Sequence, residues 1–219
     1  DRGGGAVLVL HDVTELRQAD QVRRDFVANV SHELRTPLTA IRGYVEALLA
    51  SPLDRDQTQK FLAIIARHAA RMERLATRLL ELARIQNEPA SAQQIALQPF
   101  LERLIARYEN PDLHVSFDAA PETLAMNPDH LESAVRNLVE NALRHGAGRP
   151  VEVRVQQHGG RVQIAVRDHG EGIRDEIRGR VFERFFTTER DAGGTGLGLA
   201  IAQAVAEVRG GSLDFDSGP

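Results

Sequence analysis

Residues 61–86, FLAIIARHAARMERLATRLLELARIQ, set Phe61, Ile65, His68, Met72, Leu75, Leu79, Leu82 and Gln86 at alternating steps of four and three. A helix turns once every 3.6 residues, so this rhythm draws a single stripe along one long amphipathic helix. The preceding stretch repeats the device. From Val22 the apolar residues stand at Phe26, Val30, Leu34, Leu38, Ile41, Val45 and Leu48, and Ser51-Pro52 with Asp54-Arg55-Asp56 separates the two runs. Two such helices joined by a short loop make an all-α antiparallel hairpin. Two stripes alone bury little, so the pattern predicts pairing with a second copy into a dimeric four-helix bundle. Upstream, Asp12 followed by Glu15 has the spacing of a capping box and starts the first helix. Gly3-Gly4-Gly5 and Ala6–Leu10 read as a loop and an apolar strand whose partner lies in another domain.

The composition limits what the remainder can be. The chain has 219 residues, 42% hydrophobic and 26% charged, with a net charge of −4, which suits a globular protein of about one to two domains. The absence of cysteine excludes a disulfide scaffold, a cysteine zinc site and a thiol nucleophile. No basic run offers a footprint for nucleic acid, and no apolar stretch approaches the roughly 20 residues of a membrane helix.

Around Asn87 to Gln94 the heptads stop in a polar stretch containing Pro89, and a hinge is expected at 89–95. Beyond it the pattern mixes elements. Pro99 to Tyr108 reads as helix and His114 to Asp118 as extended chain. Asn127-Pro128 caps a helix that ends at Gly146, with proline at its first position and glycine just past its end. Val151, Val153 and Val155 alternate with polar residues, His158-Gly159-Gly160 turns, and Val162, Ile164 and Val166 alternate again, which predicts a β-hairpin. Leu197 to Val208 reads as helix and Ser212 to Phe215 as strand. The second domain is therefore α+β, with a mixed sheet carrying helices on one face.

Several residues bear on chemistry. His32 lies off the apolar stripe, so it is expected to be exposed; an exposed histidine taken alone is most often inert. Its neighbour Glu33 can accept a proton from the imidazole and leave a ring nitrogen free as nucleophile. Pro37 removes a helix hydrogen bond and predicts a bend one turn after His32. On the helix capped by Asn127, Asn137 and Asn141 are four apart and share a face, with Arg144 and His145 one turn further. Two carboxamides there can equally be plain surface polars. Asp168 ends the apolar face of the hairpin, and a carboxylate so placed needs a partner, whether a ligand, an internal amide or a strand-end cap. Gly193 to Leu199 precedes a helix, where backbone N–H groups bind phosphate, though a glycine-rich turn by itself says little. Arg190 can reach a phosphate or be merely solvated.

Phe26-Val-Ala-Asn-Val-Ser-His32-Glu33-Leu-Arg35-Thr36-Pro37-Leu38 resembles the phosphoacceptor box of bacterial two-component sensor histidine kinases. Asn137-Leu-Val-Glu140-Asn141-Ala142-Leu-Arg144-His145 resembles the N-box of the ATP-binding fold shared by those kinases, gyrase-type topoisomerases and heat-shock chaperones. Asp168-His-Gly170-Glu-Gly172, Phe182-Glu-Arg-Phe185-Phe186 and Gly193 to Leu199 resemble its first glycine box, phenylalanine box and second glycine box, with a lid between the glycine boxes. The resemblance covers about residues 20 to 215, with the boxes in family order.

It implies that His32 is phosphorylated from Mg-ATP, that Glu33 assists as base, and that Thr36 orients a water for dephosphorylating a partner. It further implies that Asn141 supplies an oxygen to Mg²⁺, that Arg144 faces the phosphates and that Asp168 accepts from the adenine amino group. Asn137, His145, Gly170, Gly172, Arg190, Gly194, Thr195, Gly196, Leu197 and Gly198 would complete the ATP contacts. His145 stands where the kinases often carry tyrosine. Hydrolytic relatives carry glutamate at position 137, so asparagine there favours transfer to protein over hydrolysis.

The domains expected are 1–16 as the end of a PAS-type sensor domain and start of a signal helix, 17–88 for dimerisation and phosphotransfer, and 96–219 for ATP binding. A family chain continues past Ser217-Gly218 into one further strand. The implied partners are a second copy, a response regulator receiving phosphate on aspartate, and an upstream sensor domain. The implied location is the cytoplasmic part of a membrane-anchored sensor. Two other functions stay open: a non-catalytic nucleotide-binding scaffold, and a protein acting chiefly as phosphatase through Thr36.

Overall fold

A computed structural model describes residues 14–50, 54–87, 92–189 and 194–218. The Ala6–Leu10 strand, the Asp12 cap, the Ser51-Pro52 break and Pro89 lie outside the described residues. The chain forms two compact units, Asp1–Met72 and Glu73–Pro219.

The first unit is built on α1 (Thr14–Ala50) and the beginning of α2 (Arg55–Asn87). Asp54 opens α2: its carboxylate accepts from the Gln57 backbone N–H at 2.7 Å, satisfying one of the orphan donors of the first turn. Two contacts give the direction of the pair. Glu33 meets Arg71, and the rings of Tyr44 and Phe61 meet edge to face at 5.0 Å. As the contact moves toward the end of α1 it moves toward the start of α2, so the helices run antiparallel. α1 continues through Pro37, whose ring is fully buried. Val27, Leu38, Leu49 and Leu62 are exposed, Leu49 to 82%.

The second unit begins with the last turns of α2, where Leu75, Leu82 and Ile85 are buried. It continues through β1 (Gln93–Ala96), α3 (Leu97–Ala106), β2 (Leu113–Asp118), β3 (Thr123–Met126), α4 (Pro128–His145), β4 (Val151–His158), β5 (Arg161–Arg167), α5 (Asp175–Arg178) and α6 (Gly198–Val208). The main sheet has the order β2-β4-β5. β2 runs parallel to β4 and β4 antiparallel to β5, so the sheet is mixed as the sequence predicts. Along β4 the strand period of two sends Val151, Val153 and Val155 inward with no exposure. Each such valine contributes about 1.5–3 kcal/mol of burial. The α4 helix packs on β4, β5 and α6, completing the layer.

Asn127 caps α4 as expected: its side chain accepts from the Asp129 N–H, and Pro128 occupies the first helical position.

Two readings of the sequence are corrected. Gln93 to Ile95, expected as the end of the hinge, belong to β1, which pairs with β3 to make a separate two-stranded sheet. The signal was hidden because only Ile95 is buried, after two glutamines and before an exposed alanine, which leaves no apolar alternation. Ser212 to Phe215, expected as a strand, joins no ladder among the described residues. Side chains hold this end instead: the Phe215 ring meets Phe182 at 5.7 Å, and the Ser217 Oγ accepts from the Ile173 N–H at 2.7 Å.

Candidate functional site

In the first unit, His32 is exposed on α1, as the position of the apolar stripe requires. One turn on, the Thr36 hydroxyl donates to the His32 carbonyl at 3.3 Å, which places it beside the histidine. Glu33, read from sequence as the partner of the imidazole, accepts from Arg71 Nη2 of α2 at 3.0 Å, with the two side chains 14% and 22% exposed. Sequence reasoning missed Arg71. Its signal was the hairpin register, which sets residue 71 opposite residue 33.

In the second unit, α4 carries the N-box. Asn141, half-buried, and Arg144, exposed, share a face one turn apart. Asn137 behaves differently. It was expected among the ATP contacts, yet it is buried and protein groups engage both ends of its carboxamide. Nδ2 donates to the Ser133 carbonyl at 2.8 Å and Oδ1 accepts from Arg78 at 2.6 Å.

The tertiary structure gathers the remaining boxes around the end of α4. Asp168 leaves β5 half-buried, and its Oδ1 accepts from the Gly170 N–H at 2.9 Å, which makes the strand-end cap one of the partners a carboxylate there requires. A Cβ on Gly170 would lie 2.1 Å from the His145 carbonyl oxygen, so only glycine lets this loop pass the end of α4. A Cβ on Gly146 would lie 3.5 Å from that of Asp168. From the other side, the backbone of Gly194 accepts no Cβ without meeting Thr187 Oγ1 at 2.6 Å, and Arg144 Nη1 stands 3.6 Å from the same point. Gly196 has φ +66°, and its carbonyl accepts from the Phe185 N–H at 2.8 Å. Thus the phenylalanine box anchors the second glycine box. Phe185 and Leu197 are buried, while Thr195 is partly open beside them. α6 then begins at Gly198 with no side-chain cap, leaving first-turn N–H groups that an anion can engage.

His145 Nδ1 lies 3.6 Å from Glu189 Oε1, a contact that becomes an ion pair when the imidazole is protonated. Gly172 has φ +75° and faces the Gly218 carbonyl oxygen and the Ser217 hydroxyl rather than α4. Arg190 and Gly193 lie outside the described residues.

The donor set fits a magnesium nucleotide. Mg²⁺ takes hard oxygen ligands, keeps several waters and binds through few protein groups together with substrate phosphates. One carboxamide oxygen from Asn141 matches that demand. Among the described residues no group of three or more His, Asp or Glu stands together to hold a metal by itself.

Residues 22–88 match the His Kinase A phosphoacceptor family, and residues 126–219 match the histidine kinase-, DNA gyrase B- and HSP90-like ATPase family. The chain is 36% identical over 223 residues to the sensor protein kinase WalK of Staphylococcus saprophyticus, across 95% of this chain and 37% of that protein. A WalK of Staphylococcus aureus is also 36% identical, across 95% of this chain and 54% of that protein. The chain thus spans about a third to a half of the length of these relatives. In fold it is similar to the histidine kinase ThkA, solved with the response regulator TrrA, at a TM-score of 0.66 and 23% identity over 92% of this chain and 62% of that one. It is likewise similar to Acinetobacter baumannii histidine kinase AdeS, at a TM-score of 0.59 and 20% identity over 81% and 86% of the two chains. No helix among the described residues is long and apolar enough to cross a membrane. With a phosphoacceptor hairpin and an ATPase-type domain in series, the chain belongs to the bacterial two-component sensor histidine kinases.

Proposed function

We propose that this chain is the core of an ATP-dependent protein-histidine kinase that phosphorylates His32 and passes the phosphoryl group to an aspartate of a response regulator. The observation that carries this reading is the convergence on α4: Arg144 of the helix itself, the Asp168 turn, and the second glycine box with the Gly194 backbone and the open first turn of α6 come from three separate stretches of sequence. Asp168 accepts from the adenine amino group, Arg144 and the α6 N-terminus hold the phosphates, and Asn141 holds Mg²⁺. The metal, when bound, neutralises phosphate charge. An imidazole nitrogen of His32 bonds to the γ-phosphorus as the bond to the β,γ-bridging oxygen breaks and ADP leaves. Glu33 takes or shares the imidazole proton, with Arg71 keeping its carboxylate in place.

The exposed Val27, Leu38, Leu49 and Leu62 support pairing of two hairpins, since exposed apolar side chains on a two-helix unit are buried by a second copy. Thr36, beside His32, supports a second activity, dephosphorylation of the regulator. Positions 1–16, 17–88 and 96–219 serve as the end of a sensor module, the dimerisation and phosphotransfer hairpin, and the ATP-binding domain, in the cytoplasmic part of a membrane-anchored sensor.

The test is incubation with γ-labelled ATP and Mg²⁺ beside His32→Gln. Acid-labile, alkali-stable label that is absent from the variant is the expected result. Nucleotide binding without label on His32 would refute the kinase in favour of a scaffold. Retained labelling of Thr36→Ala with lost regulator dephosphorylation would establish the second activity.

A further inference from the structure

Asn137 lies on the nucleotide helix, but the residue is only 2% exposed. The donor to its carbonyl, Arg78, lies on the part of α2 that folds with the catalytic unit. The same guanidinium donates to Glu140 Oε2 at 2.7 Å and Glu81 Oε2 at 3.2 Å, so one planar cation spans an amide and two carboxylates. A lysine ammonium, as a point charge, cannot copy that fork. Glu81 in turn accepts from the Ser133 hydroxyl at 2.6 Å and from Arg136. The side chains of Arg78 and Glu81 are each 18% exposed, so water screens this pair less than the outer members Glu140 and Arg136, at 39% and 36%. On its other flank, Asn137 Oδ1 lies 3.2 Å from the point a Cβ on Gly198 would occupy. One oxygen therefore accepts from Arg78 of α2 and occupies the space beside the first residue of α6, which a side chain there would crowd, one turn before Asn141.

We propose that Arg78 is a positioning residue for nucleotide binding: acting through Asn137 it sets the seat of the α6 N-terminus on α4, and so couples the state of α2 to the affinity of the ATP site. This rests on the nucleotide-site reading above. Removing Arg78 strips the buried Asn137 carbonyl of its donor and leaves Glu81 and Glu140 without their shared cation. The carboxamide then turns to find another donor and leaves its place beside Gly198. Coupling is reciprocal, so bound nucleotide must also tighten the end of α2.

The test uses the intact chain and the magnesium complex of a non-hydrolysable ATP analogue, with affinity measured by calorimetry. Arg78→Met is expected to weaken binding about tenfold, within the range of coupled sites. In an Asn137→Ala background the same change is expected to add nothing, because Arg78 acts through that carboxamide. In wild type, analogue binding slows amide exchange over residues 78–87, and in Arg78→Met it does not. Equal affinity of wild type and Arg78→Met, or a full additive loss in the double variant, would overturn the proposal. If Arg78→Met loses its melting transition, Arg78→Lys carries the comparison: several-fold weaker binding supports the fork, and wild-type affinity refutes it. Failure of wild type to bind the analogue at all would instead sink the nucleotide-site reading.

Discussion

Replacing Gly196 by alanine tests whether the second glycine box is held by steric necessity. The residue sits at φ +66°, where an L side chain costs about 1–2 kcal/mol. The added Cβ would stand 2.4 Å from the Phe185 carbonyl carbon, 2.7 Å from its Cα and 2.7 Å from the Phe186 nitrogen. All three are backbone atoms, so no side chain can swing away, and the turn itself must move. That movement gives up the hydrogen bond from the Phe185 N–H to the Gly196 carbonyl, about 1 kcal/mol. The loss is therefore roughly 2–3 kcal/mol at least, which for a unit of this size lowers the melting temperature by about 4–12 °C. Because Leu197 and Gly198 follow directly, affinity for the magnesium complex of an ATP analogue falls too. Gly179→Ala is the control: at φ −68° with nothing within 4 Å, it is expected to be neutral or slightly stabilising. Differential scanning calorimetry with and without nucleotide reads both. A Gly196→Ala protein melting with wild type and binding equally would show that the phenylalanine box does not anchor the loop.

Three further substitutions probe two site residues and one half-buried phenol of the second unit. Asn141→Ala is expected to abolish Mg²⁺-dependent labelling of His32 while the melting transition stays; labelling that persisted at the wild-type rate would remove Asn141 from the metal. Asp168→Asn keeps an oxygen for the Gly170 N–H and so keeps the fold, but gives up the charged acceptor. Adenine nucleotide affinity should drop about ten- to a hundredfold, and unchanged binding would dismiss the role. Tyr108 has its phenol pushed above the ordinary tyrosine value, first by burial and then by Glu140, partly offset by Arg136 and Arg78. The folded state thus holds this proton longer than the unfolded chain. Its contribution is intact below the ordinary tyrosine range and is lost as pH rises through the folded value. Tyr108→Phe should flatten that alkaline decline in urea-unfolding stability, and a decline of unchanged steepness would assign it to other groups.

Much of the architecture was legible in the residues. The four-three rhythm of 61–86, the Asn127-Pro128 cap and the valine alternation of β4 each report a local period or a local hydrogen bond, and the structure realises all three. The strands β1 and β3 were not legible, because four residues bury too little to leave a pattern and their pairing joins positions far apart in the chain. Ser212 to Phe215 erred the opposite way: its residues suit a strand, but a strand exists only where a neighbour accepts its ladder.

For the site, sequence alone determined which chemical groups are available and how they are spaced along each element. That is why exposed His32, the shared face of Asn141 and Arg144, and the glycines before α6 could be named beforehand. Tertiary structure decided their partners. It turned Glu33 to Arg71, buried Asn137 against Arg78, and brought Asp168 and Gly170 to the end of α4. Local periodicity is written in the spacing of neighbours, whereas hydrogen bonds such as that from Arg78 to Asn137 join residues whose approach is set only when the whole core packs.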